Sequence, residues 1–158
     1  MPDAKDDDFG KYFRWLPIGV GLALIAAFAT HPGPKPAPPN SSIFGCYVAP
    51  DAPAILLDNR GMHIRQSAFP TIPFHIERLK TGIALTADAP IRADQTNEGY
   101  IYAINRRGIG WFMSFYKLQN GQPNGVFDDN ALDRFEMLAS DGNVLLYEPA
   151  RLEECTHP

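Results

Sequence analysis

Ala54-Ile55-Leu56-Leu57-Asp58-Asn59-Arg60-Gly61-Met62-His63-Ile64-Arg65 is the stretch that decides the fold. It opens with a short apolar run. Four turn-forming residues follow, Asp58 to Gly61, and then four residues that alternate strictly. On a strand, alternation sends Met62 and Ile64 to one face and His63 and Arg65 to the other. Two such runs joined by an Asn- and Gly-containing turn read as a β-hairpin, with strands over 54–57 and 62–65.

The same grammar extends in both directions. Residues 43–49 read as a first strand. Phe74-His75-Ile76-Glu77 alternates, and Lys80-Thr81-Gly82 turns the chain into a strand over 83–85. Residues 91–93 add a short edge piece. Tyr100-Ile101-Tyr102-Ala103-Ile104 is rich in residues that favour strands. Asn105-Arg106-Arg107-Gly108 is expected to close a hairpin from it onto residues 110–118. Asn120-Gly121-Gln122-Pro123-Asn124-Gly125 reads as a loop by composition. Residues 128–139 are ambiguous: Leu132, Phe135 and Leu138 keep helical spacing, whereas Phe135 and Met137 alternate. Asp129 or Asn130 would cap a short helix there. Ser140-Asp141-Gly142-Asn143 turns into a last strand over 144–147. The expected fold is all-β, a small antiparallel barrel or sandwich of eight or nine strands.

Ahead of this domain lies a different composition. Residues 15–29, from Trp15 to Ala29, are apolar, and five prolines fall between Pro32 and Pro39. The division expected is an acidic cytoplasmic tail (1–14), a transmembrane anchor or signal segment (15–30), a proline-rich linker (31–42) and an extracytoplasmic β-domain (43–158). At 1.5 Å per residue the apolar run spans roughly 22 Å, short for a hydrocarbon core of about 30 Å. Tyr12 and Phe13 extend it if Arg14 snorkels to the headgroups. The alternative is an exported chain cleaved after Ala29, since Ala27-Phe28-Ala29 fits the small-x-small pattern. Asp6-Asp7-Asp8 argues for the retained anchor, because a cleaved leader carries a positive start. Lys5, Lys11 and Arg14 precede the run and place the amino terminus in the cytoplasm. The address expected is therefore the inner membrane, single-pass, with the carboxy-terminal domain in the periplasm or outside the cell. The bilayer is the partner of residues 15–30. The linker, in polyproline form, reaches about 35 Å.

Net charge is −4, with no basic stripe, which argues against nucleic-acid binding. Two cysteines stand near opposite ends of the β-domain, Cys46 and Cys155. In an oxidising compartment they read as a disulfide joining the domain's ends, and otherwise as two free thiols. Two cysteines alone do not make a structural zinc site, and no metal or cofactor is expected.

Candidate binding residues are Tyr100, Tyr102 and Trp111, with Arg106 and Arg107 in the turn between their strands. Tyr100 and Tyr102 share a face, where rings suit stacking on a ligand or lining an apolar cavity. The competing reading is core packing. If the strands of His63 and His75 pair, Arg65 and Glu77 make a cross-strand ion pair on a solvated face. Asp128, Asp129, Asn130 and Asp133 miss the spacing of a calcium loop and read as a cap or turn. No nucleophile elbow, phosphate loop or His-Glu-x-x-His motif is present, so no catalytic residue is assigned. The function expected is non-enzymatic: a membrane-anchored envelope domain for protein binding or assembly, with an envelope protein as partner. The alternative is a carrier of a small apolar ligand, lipocalin-like by analogy of layout only. A hydrolase with an unrecognised site comes third.

Overall fold

The computed structural model describes residues 33, 35–104 and 112–156. The tail, the 15–30 segment, the cleavage position after Ala29, and Arg106, Arg107 and Trp111 lie outside the described residues. Among the described residues, no helix is long and apolar enough to cross a membrane.

The described chain is mostly antiparallel β. In chain order the strands are β1 (Gly45–Ala49), β2 (Ala52–Asp58), β3 (Gly61–Ile64), β4 (Phe74–Leu79), β5 (Gly82–Ala87), β6 (Ile91–Thr96), β7 (Gly99–Ile104), β8 (Phe112–Gln119), β9 (Gln122–Gly125), β10 (Phe135–Leu138) and β11 (Val144–Ala150). Nine of them form one sheet in the order β3-β2-β1-β11-β10-β8-β5-β4, with β9 paired to β8. β6 and β7 form a separate two-stranded sheet.

The hairpin read first is present in the expected register, Leu57 opposite Met62 and Ile55 opposite Ile64. Asp58 fixes its turn, its Oδ1 accepting the backbone N–H groups of Arg60 and Gly61. Three expectations are corrected. Residues 120–125 are not a simple loop, since β9 pairs back on β8. The ambiguous segment makes no helix but a strand, with Phe135 and Met137 buried and Leu138 exposed. β7 does not pair with β8: it pairs with β6, and β8 lies between β5 and β10.

The nine-stranded sheet does not close into a barrel. β3 meets the segment just ahead of β4 at one bridge, where Met62 and Ile72 exchange both backbone hydrogen bonds at 2.8 and 3.0 Å. Gly61 makes that approach possible. Its φ is +142°, and a Cβ there would stand 2.7 Å from the Ile72 carbonyl oxygen. β3 and β4 are otherwise not paired, so Arg65 and Glu77 are not cross-strand neighbours.

Inside the curled sheet an aromatic cluster fills the centre. Phe115, Phe135 and Tyr147 stand in register across β8, β10 and β11. The Phe135 ring stacks on Tyr147 at 5.1 Å, and Tyr47 lies 5.0 Å from Phe135. The β6–β7 hairpin packs Ile91, Ala93 and Tyr102 into this core. Tyr102 and Tyr147 share a buried hydroxyl–hydroxyl hydrogen bond, and the Tyr147 hydroxyl donates to the Pro53 carbonyl. Buried hydroxyls need such partners. Gln66 supplies what a neighbouring strand would supply to β7: its amide donates to the Tyr102 carbonyl and accepts the Tyr102 N–H. On the other side, Ser140 N–H donates to the Ala93 carbonyl.

The folded unit begins at Pro36, ahead of the first strand. Pro38 and Ile43 are buried, Asn40 donates to the Phe74 carbonyl, and Arg78 donates to the Pro36 carbonyl. Prolines beside a strand offer no N–H to a foreign strand, a common protection for a sheet edge. At the other terminus Cys155 is bonded to Cys46, with S–S 2.07 Å and Cα–Cα 5.8 Å, as the sequence leads one to expect.

Candidate functional site

The strands β10, β11 and β1 lie side by side, and their two faces differ. Alternation sends Phe135, Met137, Leu145, Tyr147 and Tyr47 inward, where all are buried. The residues between them face outward. They include Leu138 opposite Val144, Glu136 opposite Leu146, and Glu148 opposite Val48. Leu138 and Val144, the pair that closes the β10–β11 hairpin beside its turn, are 51% and 49% exposed. Beside them is an open groove of about 560 Å³ lined by Val48, Ala49, Pro50, Leu146 and Glu148.

One end of this face is covered. Cys46 precedes Val48 by two residues, so it points the same way. It is buried beneath the turn Leu152–Cys155, held down by the disulfide. The apolar strip from Val48 to Leu138 begins where that cover stops.

Charged groups border the strip. Arg134 and Glu148 pair at 3.4 Å. Burial pushes the Glu136 carboxyl above its ordinary pKa. Tyr116 stands near Glu148, Arg134 and Glu136, its ring buried and its hydroxyl without a hydrogen-bond partner. Burial raises its pKa, Glu148 adds to the rise, and Arg134 opposes it. Asp141 lies in the β10–β11 turn, which packs on the β6–β7 hairpin. There it accepts a hydrogen bond from the Tyr100 hydroxyl at 3.0 Å, and Asn143 donates to both.

Of the binding residues singled out in the sequence, Tyr100 and Tyr102 are among the described residues. Tyr102 is 2% exposed and is a core residue. Tyr100 keeps the same face, and its hydroxyl is engaged by Asp141 and Asn143. Sequence reasoning missed the outer strip. Val144 and Leu146 were legible as strand residues, but their exposed face depends on which strands lie beside them.

Two histidine clusters sit elsewhere. His75 lies between Glu77 and Asp88, with ring nitrogens 2.7 and 2.9 Å from the two carboxylates. Only the doubly protonated ring donates to both. The hydrogen bond to Glu77 is the main cause of its raised pKa; burial opposes it and Asp88 adds to it. His63 bonds Asp58 through Nε2 and Thr71 through Nδ1. Burial alone would raise the Asp58 pKa, but the hydrogen bonds from His63 and Arg60 hold it well below the usual carboxylate range. Asp128 closes a turn onto the Asn130 N–H, and Asp129 pairs with Arg78. Among the described residues, these contacts leave no convergent set around an open cleft.

No protein-family model matches this chain, and no curated protein or solved structure matches it either.

Proposed function

We propose that this chain is a membrane-anchored, envelope-facing domain that binds another protein through the outer face of β10, β11 and β1. The observation that carries the reading is the paired exposure of Leu138 and Val144, continuous with the groove at Val48, Pro50 and Leu146. Exposed apolar strips on otherwise well-packed domains mark contact surfaces. The address rests on the apolar run at 15–30, with its charged residues on the amino-terminal side. The Cys46–Cys155 bond suits an oxidising compartment.

The carrier reading has less support. Tyr47, Phe115, Phe135 and Tyr147 occupy the middle of the curled sheet, where an apolar ligand would have to lie. The hydrolase reading has no convergent titratable set among the described residues to rest on.

The test is site-specific photo-cross-linking on the full chain in its own membrane. A benzophenone side chain at Val144 or Leu138 is expected to give one dominant adduct of fixed mass. The same group at Arg60, on the β2–β3 turn, is expected to give none. Identical adducts from all three positions would overturn the docking reading. Alkaline extraction tests the address separately: the intact chain is expected in the membrane pellet, and its recovery as a soluble cytosolic protein would refute the anchor.

A further inference from the structure

Building on that docking reading, we infer that the occupant of the outer face is an apolar segment flanked by lysine or arginine, and not a second copy of this chain. The floor of the site is Val48, Pro50 and Leu146, continued by Leu138 and Val144. Such a floor gains from contact with any apolar surface of matching shape. The border is what discriminates.

Two carboxylates stand on that border. Glu148 lines the groove itself. Glu136 is opposite Leu146 in the ladder. One guanidinium group opposes them, that of Arg134, held 3.4 Å from Glu148. The border is therefore net negative. Cationic flanks on a partner are drawn to it and anionic flanks are repelled.

The same border disfavours self-association. A two-fold contact lays one patch against its own copy. Each copy would then bring the same net negative border to an apolar, water-poor contact. Like charges brought together in such a place weaken it. A partner with positive flanks meets no such penalty.

The test uses the full chain in phosphatidylcholine nanodiscs, whose zwitterionic surface does not itself capture cationic peptides. Two labelled strand peptides share a leucine–valine centre; one carries lysines at both ends and the other glutamates. The lysine peptide is expected to bind on the order of ten-fold more tightly at low salt, with the gap narrowing as salt is added. Glu136→Lys with Glu148→Lys is expected to reverse the preference, and Leu138→Glu to weaken both peptides. A preference unmoved by the charge reversal would overturn the inference. So would a dimer of the full chain, seen by sedimentation and dissolved by Leu138→Glu. If neither peptide binds while the Val144 cross-link persists, the cationic occupant is wrong and the docking face stands. Loss of the cross-link as well removes both.

Discussion

The inner and outer faces of β10, β11 and β1 belong to the same three strands and carry opposite burdens. Inward, Phe135 stacks on Tyr147 and Tyr47 packs tilted against Phe135, filling the sheet's curl. Outward, the equally apolar Val48, Leu146, Leu138 and Val144 are left partly or half open to solvent. Among the described residues, the outer face is covered where a covalent bond holds something over it, at Cys46 under the Leu152–Cys155 turn. Hydrophobicity alone does not decide which side of a strand is core. The supply of neighbouring elements does, and on the outer face that supply ends two residues past the disulfide.

The sharpest way to break this contrast is from inside. Phe135 touches Tyr47, Phe115 and Tyr147 and is fully buried. Phe135→Ala is expected to lower stability by about 4 kcal/mol, through lost burial and the cavity left behind. Urea unfolding followed by circular dichroism measures it; a loss below about 1 kcal/mol would mean that the aromatic cluster does not hold the sheet. Removing the disulfide through Cys46→Ala with Cys155→Ala comes next, at roughly 3 kcal/mol, within the usual range for such bonds and below the roughly 5 kcal/mol that chain entropy alone assigns to a separation of 109 residues. Its side effect bears on the outer face: the terminal turn should loosen, and hydrogen exchange at residues 152–155 should rise. Unchanged protection there would separate the bond from the cover.

Tyr147→Phe keeps the ring and deletes the hydroxyl. The Tyr102 hydroxyl then loses its partner, and the Pro53 carbonyl loses its donor. About 1–2 kcal/mol should disappear, with the packing retained. A neutral result in thermal unfolding would show that water replaces the hydroxyl.

A smaller effect separates His75 from both faces of the contrast. Its pKa is raised above the ordinary 6.5 in the folded chain, so its contribution to stability is fully present below 6.5. That contribution fades as pH climbs through the folded value. The three side chains are 40–48% exposed, so solvent screening keeps the effect under about 1 kcal/mol. A proton NMR titration should place the His75 midpoint above 6.5 and should find it lower in Glu77→Gln. An identical midpoint in both proteins would remove Glu77 as the main cause. Leu138→Ser should cost least, within about 0.5 kcal/mol, because the side chain is half exposed. Its expected consequence is loss of the Val144 cross-link at unchanged stability; a retained cross-link at wild-type yield would contradict the docking face.

Much of the strand grammar was open to reading. Asp58 to Gly61 announced its turn, Met62 to Arg65 its alternation, and Cys46 with Cys155 their bond. Pairing was not open in the same way. The pattern Tyr100 to Ile104 marks a strand without stating its neighbour, and β6 reached it first through the short turn at Asn97 and Glu98. Phe135 to Leu138 carried helical and strand periodicities together, and tertiary packing against Phe115 and Tyr147 chose between them. Gly125 looked like loop composition, yet it sits where β9 passes the β4–β5 turn so closely that a Cβ would stand 2.4 Å from the Thr81 carbonyl oxygen. The outer strip was hidden for the same reason as the pairing. Exposure of Leu138 is a property of what fails to pack on it, and no local pattern encodes an absent neighbour.

The lone Met62–Ile72 bridge makes the rim of this sheet a clasp rather than a weld. Two backbone hydrogen bonds and the His63–Thr71 contact beside them hold it, so parting it exposes far less surface than melting the sheet does. The amide protons of Met62 and Ile72 consequently serve as the molecule's own gauge. Their exchange with deuterium reports how often the rim springs open while the stacked rings behind it stay shut.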